Sequence, residues 1–227
     1  MSFTIAARGA LGAGVLLSSS AFAAGGHFVV DDTGVTETGR LALESWYSRA
    51  SAGNDERAAV LAYGIAPGGE LALEGGRERV DGTKADRIGA TGKWNLADAA
   101  LEGLGVAVVG GVFFDADRDR FQEAEVFFPV DVPLGDGRAM FRYNLGWSHQ
   151  RDADDRNVAA WGFGGEVALL SRLDLLAEIY GDQRDSTEVQ TGLRLHLAEN
   201  VTLDAGYGRE RRDRDEDWWT VGLAATF

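Results

Sequence analysis

From Arg40 onward the sequence repeats one pattern, in which about ten residues of alternating apolar and polar character precede a charged or turn-forming break. The stretch 188–197 is the clearest case, because its odd positions are Val, Thr or Leu and its even positions are charged, polar or glycine. Successive side chains of a strand point to opposite faces, so this stretch has one apolar and one polar face. Such alternation is typical of strands that cross a membrane.

We predict about twelve strands of this kind. Their ranges are 40–50, 57–66, 70–80, 87–96, 104–114, 121–131, 138–150, 157–169, 173–181, 188–197, 201–209 and 217–227. The breaks after odd-numbered strands are strongly charged, whereas most breaks after even-numbered strands are short turns with little charge. A meander that crosses a membrane places its connections on opposite sides in turn, which accounts for this difference. The predicted fold is all-β: a transmembrane antiparallel up-and-down β-barrel of about 12 strands over residues 40–227, with periplasmic termini.

The first residues have the composition of an export signal. Arg8 is the only charged side chain before the small and apolar run Gly9–Leu17, and Ala21–Ala23 has the pattern of a cleavage site. We therefore predict a signal peptide over residues 1–23. Its apolar run is shorter than the roughly 20 residues that a membrane-spanning helix needs. Residues 24–39 would form a periplasmic N-terminal segment, which either hangs free or enters the barrel as a plug.

The composition excludes several functional classes. A net charge of −14 leaves no basic patch for nucleic acid, and the absence of cysteine removes thiol catalysis and thiolate metal sites. Segment 115–120 has an Asp-x-Asp-x-Asp spacing but lacks the glycine and distal glutamate of a calcium loop. We expect no cofactor and no dedicated metal site. The mixed charges of 115–120 and 211–215 are instead expected to pair at a rim that contacts lipopolysaccharide or divalent ions.

The strand alternation also identifies the residues that should line the lumen. Twelve charged side chains fall on the face opposite the apolar row: Glu44, Glu74, Glu78, Lys93, Glu123, Glu125, Arg142, Glu166, Glu178, Glu188, Arg194 and Asp204. Acids outnumber bases in this set, so a water-filled lumen would favour cations. However, a barrel of about twelve strands is narrower than an open porin. The same groups could pair across the lumen and close it, and the sequence leaves both alternatives open.

Ser148 and His149 are the residues to consider for catalysis. Adjacent side chains of a strand point to opposite faces, so these two cannot act together as nucleophile and base. No motif marks another serine as a partner for His149, and we expect no enzymatic activity. The predicted function is a passive, porin-like channel for small solutes. The alternatives are a closed barrel with a structural or surface-interaction role and, third, a lipid-modifying enzyme; a soluble lipocalin-like protein is the alternative fold.

The last ten residues resemble the C-terminal assembly signal of bacterial outer-membrane proteins, in which alternating apolar positions lead to a terminal aromatic residue. The matching positions are Trp219, Val221, Leu223, Ala225 and Phe227. The resemblance implies a Gram-negative outer-membrane location, and it implies lipid, lipopolysaccharide and the barrel-assembly machinery as partners. More weakly, the stretches Phe28–Val35 and Leu41–Tyr47 are similar to the start of a group of barrel proteins labelled transporters. Some of that group are described as components of phenol-degradation pathways, which implies transport without identifying a solute.

Overall fold

The computed structural model describes residues 28–51, 53–80, 82–135, 137–151, 156–183, 187–210 and 217–227. The predicted signal peptide, the first four residues of the predicted N-terminal segment and the charged stretch 211–215 lie outside these ranges. Within them, no helix is both long enough and apolar enough to cross a membrane. The structural description therefore concerns the barrel and the chain that directly precedes it.

Twelve strands make up most of the described chain. They are β1 (Leu41–Ala50), β2 (Asp55–Ala66), β3 (Gly69–Val80), β4 (Thr83–Ala97), β5 (Gly105–Asp115), β6 (Arg120–Leu134), β7 (Ala139–Gln150), β8 (Asn157–Leu170), β9 (Leu173–Asp182), β10 (Thr187–Ala198), β11 (Val201–Glu210) and β12 (Asp217–Thr226). A single-turn helix, α1 (Ala99–Glu102), joins β4 to β5. Asp98 caps its first turn, and Gly103 ends it with a left-handed φ of 74°.

Each strand pairs antiparallel with its sequence neighbours, and β1 pairs with β12 to close the barrel. The closing register runs from Ala42 opposite Thr226 to Ala50 opposite Trp218. Beyond that ladder, the Phe227 backbone N–H donates to the Leu41 carbonyl oxygen over 2.8 Å. The closed sheet confirms the predicted fold class. It leaves no unpaired strand edge, which membrane-spanning sheets require.

The strand boundaries agree with the prediction to within a few residues, and the largest differences are at β4 and β6. The prediction began β4 at Arg87, but pairing with β3 continues to Thr83, opposite Val80. It ended β6 at Asp131, but pairing with β7 continues to Leu134, opposite Ala139. From composition alone, these charged or proline-containing ends of β4 and β6 are predicted to lie in loops. Their backbones nevertheless stay in the ladder, because the neighbouring strand supplies hydrogen-bond partners.

The outward face of the barrel is apolar. Large apolar side chains such as Leu73, Leu193 and Leu223 leave 65%, 43% and 46% of their surface exposed, while their strand neighbours point into the barrel. Trp147, Tyr207 and Trp219 also point outward, near the ends of their strands. Exposure of this kind would make a soluble protein aggregate, but it matches the hydrocarbon of a bilayer, with aromatic rings at its interface. The barrel therefore has the outer surface of a membrane protein.

β5 is apolar and glycine-rich on both faces, and its odd-numbered residues point into the barrel; the neighbouring β6 contains a bulge near its first residues. The register with β6 shifts between Phe113, opposite Glu123, and Phe114, opposite Phe121. Phe113 is buried inside the barrel, whereas Phe114 points outward and packs edge-on against Phe121, with ring centroids 6.2 Å apart. The bulge thus keeps Glu123 in the lumen while its neighbour Phe121 stays outside.

Candidate functional site

The candidate site is the lumen, which has two dissimilar halves. We call the end of the barrel at Leu41 and Phe227 the terminal end, and the opposite end, with the connection between β1 and β2, the loop end. We call residues 28–39 the N-terminal plug, because they lie inside the terminal-end half and contact inward-facing side chains of several strands. Of the two options that the sequence left for this segment, the described residues adopt the one inside the lumen.

Barrel carboxylates hold the plug by its backbone. The two oxygens of Glu178 accept hydrogen bonds from the N–H groups of Val29 and Val30, at 3.0 and 2.9 Å. Asp131 accepts from both the backbone N–H and the hydroxyl of Thr33, and Glu70 accepts from the Thr36 N–H at 2.6 Å. Hydrogen bonds to a charged group are stronger than neutral ones. Three strands, β3, β6 and β9, thus fix the course of a segment that has no regular structure of its own.

Lys93 supplies the cation at the centre of this contact. Its ammonium group lies 3.1 Å from an oxygen of Asp31 and 3.3 Å from one of Asp32, and only 2% of the side chain is exposed. With its amide oriented to satisfy its neighbours, Asn144 donates to the Asp31 carbonyl oxygen and accepts from the Asp31 N–H. Burial raises the pKa of the Asp31 carboxyl to about 7, although the Lys93 ammonium opposes the change.

Glycines of the barrel wall leave room for the plug. A side chain at Gly64 would collide with the carbonyl oxygens of Thr36 and Glu37, and one at Gly162 would lie 2.8 Å from the Val30 side chain. At the exit of the plug, the Gly39 N–H donates to the Gly64 carbonyl oxygen over 2.8 Å. The barrel wall and the plug therefore fit each other in shape as well as in charge.

An ion-pair network fills more of the terminal-end half. Arg194 binds Asp204 at 3.0 Å and Glu166 at 3.2 Å, and Arg142 binds the same Glu166 oxygen at 3.0 Å. Arg142 also approaches Asp131 at 3.7 Å, so the network extends to the plug contacts. These bases and acids sit opposite one another, and this half of the lumen is packed with mutually paired charges.

The loop-end half contains a cavity instead. We call this cavity, with a volume of about 700 Å³, the cup. Ten acidic residues and two arginines lie along it, together with aromatic rings that include Trp46, Phe113 and Trp218. Val29 and Asp31 of the plug, with Asn144, are also among its lining residues and form its floor. The cup therefore ends where the N-terminal plug begins.

The structure places all twelve predicted lumen residues inside the barrel, but it divides them between the halves. Glu74, Glu78, Glu123, Glu125 and Glu188 line the cup. Lys93, Arg142, Glu166, Glu178, Arg194 and Asp204 belong to the plug contacts or the ion-pair network, and Glu44 lies near Arg194 and Asp204. The set therefore mixes two different environments.

Four residues that hold the plug escaped the predicted set: Glu70, Asn95, Asp131 and Asn144. Each has the inward parity of its strand, so the alternation was a sufficient signal for facing. Glu70 and Asp131 lie at the ends of the predicted ranges, where composition resembles a turn. Nothing in the sequence marks their partners, which are 34 and 98 residues away along the chain.

The other candidates behave as their positions on strands suggest. Trp219, Val221, Leu223 and Ala225 share the outward face of β12, and Phe227 follows at its end. Ser148 lines the cup, whereas the outward-facing His149 lies between the rings of Phe121 and Trp147.

The acid-rich rim segment is internally paired. Asp115 binds Arg118 at 2.7 Å, and Asp117 accepts from the Asp86 N–H at 2.9 Å. Within the described ranges, no three His, Asp or Glu side chains are grouped so as to hold a metal ion.

Solved structures with a similar fold are outer-membrane channels. The barrel is similar to the NanC porin, with a TM-score of 0.64, 12% identity and coverage of 81% of this chain and 98% of that one. It is similar to the KdgM porin, with a TM-score of 0.67, 8% identity and coverage of 82% and 99%. It also resembles the COG4313 outer membrane channel from Pseudomonas putida F1, with a TM-score of 0.61, 12% identity and coverage of 86% and 98%. At these identities the likeness concerns the fold.

The sequence comparisons are narrower. No curated protein matches the chain. A family model described as "Uncharacterised conserved protein UCP029691" matches residues 13–227, which include the whole barrel and the N-terminal plug.

Proposed function

The chain belongs to the family described as uncharacterised conserved protein UCP029691, and we propose that its barrel is a passive outer-membrane channel for small solutes, with a gate formed by the N-terminal plug. The observation that carries the proposal is the cup, a polar cavity of about 700 Å³ inside a closed transmembrane barrel. A barrel with only a structural role does not require such a cavity. The loop end would face outward and the terminal end the periplasm.

The N-terminal plug gives this channel a closed state. Polar side chains and backbone N–H groups hold it, rather than a large apolar contact. When the plug leaves, water can hydrate both these groups and the carboxylates that held them. Release therefore costs less than removing an apolar core element of the same length, and a polar plug suits a gate.

The filled terminal-end half also supports a second candidate, a permanently closed barrel with a structural or surface-interaction role. Its ion pairs join charges that are 10, 11, 24 and 28 positions apart along the chain, and the plug adds contacts on strands β3, β4, β6, β7 and β9. In this case the cup would be a surface pocket without an exit. The two candidates differ in one property, which is whether ions cross the barrel.

We infer no catalytic function. Ser148 faces the cup and His149 the outer surface, so they remain on opposite sides of the barrel wall. His196, the other described histidine, lies 2.6 Å from Asp174 at the terminal end, far along the barrel from Ser148. A barrel enzyme would need its nucleophile and base on the same rim.

Planar-bilayer recording of the purified, folded protein tests the channel. Three chains are compared, each exported with residues 1–23: the natural chain, one lacking residues 24–36, and one with residues 28–36 replaced by glycine and serine. The last variant keeps the length of the segment but loses its side-chain contacts. Heat-modifiable migration on gels verifies that all three barrels fold.

We expect discrete conductance from the natural chain and a several-fold increase in both variants. A current that prefers cations would agree with the acid excess of the cup. If none of the three folded barrels carries current, the channel proposal is wrong and the closed barrel stands. If the natural chain and both variants conduct equally, the plug is not a gate.

A further inference from the structure

The cup interleaves aromatic rings with carboxylates. Trp46, Phe113, Tyr180 and Trp218 contribute rings, and acids on β2, β3, β6, β9, β10 and β11 contribute negative charge around them. Two of the rings lie beside acids, Trp46 near Glu56 and Tyr180 near Glu188. Ring faces with neighbouring carboxylates are an environment that attracts cations with an apolar body.

The protein's own Arg87 occupies one such position. Its guanidinium carbon lies 3.6 Å above the centroid of the Phe113 ring, and one of its nitrogens lies 3.8 Å from a Glu123 oxygen. This arrangement combines a cation–π contact with an ion pair inside the cup. It shows that the wall of the cup accepts an organic cation in this geometry.

The floor of the cup offers an acceptor that no described residue uses. Asp31 is only 8% exposed, and one carboxylate oxygen binds Lys93 while Oδ2 has no hydrogen-bond partner among the described residues. An unpaired buried acceptor is destabilising, so an N–H donor that reached it would be favoured. Asp31 is also part of the cavity lining, so the floor of the cup carries an acidic residue.

We propose that the cup binds small organic cations, namely amines or guanidinium compounds that carry an aromatic or aliphatic body. Acidic residues outnumber arginines around the cup, so the cup repels anions, and its rings distinguish organic cations from inorganic ones. A volume of about 700 Å³ lies within the range of pockets that enclose small molecules. The inference rests on the proposed function only where it identifies these cations as solutes of the channel. Their binding in the cup does not require conduction.

The test is isothermal titration calorimetry on the full mature chain, folded in detergent at neutral pH and low salt. Three ligands of nearly equal size are titrated: phenethylammonium, 2-phenylethanol and phenylacetate. We expect phenethylammonium to bind at least about tenfold more tightly than the neutral alcohol, equivalent to about 1.4 kcal/mol, and phenylacetate not to bind. Equal affinity for the cation and the anion would overturn the proposal.

Matched variants separate the cup from the net charge of the protein. Glu74→Gln with Glu125→Gln removes two acids from the cup, and Glu102→Gln with Glu199→Gln removes two exposed acids at the terminal end. Only the first pair should weaken phenethylammonium binding, by about tenfold or more. Equal losses from both pairs would mean attraction by net charge alone.

A second comparison separates the rings from the acids. Trp218→Leu removes a ring from the cup, while Trp219→Leu removes one from the outer face. We expect weaker binding in the first variant and no change in the second. Tetramethylammonium and sodium serve as further ligands, and tighter binding of sodium than of phenethylammonium would contradict an organic-cation site.

The failures are distinguishable, because calorimetry needs no membrane current. Binding of phenethylammonium without any conductance would leave the inference standing and remove the channel. Conductance without tighter binding of phenethylammonium would leave the channel standing and remove the inference.

Discussion

The two halves of the lumen are built on the same strands but differ in how their charges are used. In the terminal-end half, Lys93, Arg142 and Arg194 each face acids within hydrogen-bond or ion-pair distance, and the N-terminal plug completes the packing. In the loop-end half, acids greatly outnumber bases and aromatic rings take up the remaining wall. One half is filled with paired charge, while the other keeps an open cavity with excess negative charge. The proposed gating and the proposed selectivity therefore depend on different residues.

The most disruptive test of this division is removal of the cation that holds the plug. Lys93→Met leaves Asp31 and Asp32 in the terminal-end half without their ion-pair partner. Loss of one member of a buried pair costs about 3 to 5 kcal/mol, so the docked plug should be weakened by more than about a hundredfold. Release of the plug is followed with Thr36→Cys. Thr36 is 1% exposed in the docked plug, and the natural chain contains no cysteine, so this single thiol becomes accessible only when the plug leaves.

Labelling of that single cysteine by a maleimide measures how often the plug leaves the lumen. The rate should rise steeply in Lys93→Met and stay unchanged in Lys84→Met, which removes an exposed lysine near the loop end of the same strand. An unchanged rate in Lys93→Met would show that the charge contact does not hold the plug.

A smaller effect is expected from filling the space that the plug occupies. Gly162→Leu would place a side chain against Val30, and forcing extra volume into a packed site costs about 1 to 3 kcal/mol. The same cysteine should become more reactive. Gly165→Leu is the control. Gly165 lies on the same strand, and a Cβ added there would come nearest to the Met140 carbonyl oxygen, at 3.5 Å, without contacting the plug. Equal labelling of the two variants would argue against close packing at Val30.

A pH dependence of opening is also expected. The Asp31 carboxyl has a pKa of about 7 in the docked plug, against 3.8 ordinarily, so the docked state binds more protons between these values. Docking should weaken as pH rises from about 4 to about 7, with a corresponding increase in conductance. Lys93 on β4 and Asp32 beside Asp31 are the charged neighbours that modulate this change, and Asn144 on β7 is a neutral one. Asp31→Asn should flatten that part of the pH profile; an identical profile would exclude Asp31 as its source.

The barrel was predictable because each strand carries its own evidence. The alternation over 188–197 identifies β10 and its facing without reference to any other segment, and the closing position of β12 follows from the apolar row that ends at Phe227. The facing of β5 was not predictable in this way. Its inner Phe113 and outer Phe114 are adjacent and equally apolar, so the sequence does not say which of the two faces points into the barrel.

The interior was less predictable because its contacts join distant parts of the chain. Residues 28–39 have no periodic pattern, and their course depends on the side chains that meet them. Glu178 binds a backbone N–H 149 positions away, and no local property of either residue indicates that contact. The alternation could identify inward acids, but it could not say which of them would meet a base, the plug or open space.

The attachment of the plug to β1 also limits where it can go. Gly39 is bonded to the wall at Gly64, and Leu41 begins β1, so the twelve residues of the plug stay tethered to the rim. Fully extended, they reach at most about 3.3 to 3.6 Å per residue. A released plug thus remains an intramolecular ligand at an effective concentration of the order of millimolar, which no dilution of the protein can lower. In the proposed gating, reclosure is then a first-order event, and each barrel would carry its own inhibitor in fixed stoichiometry.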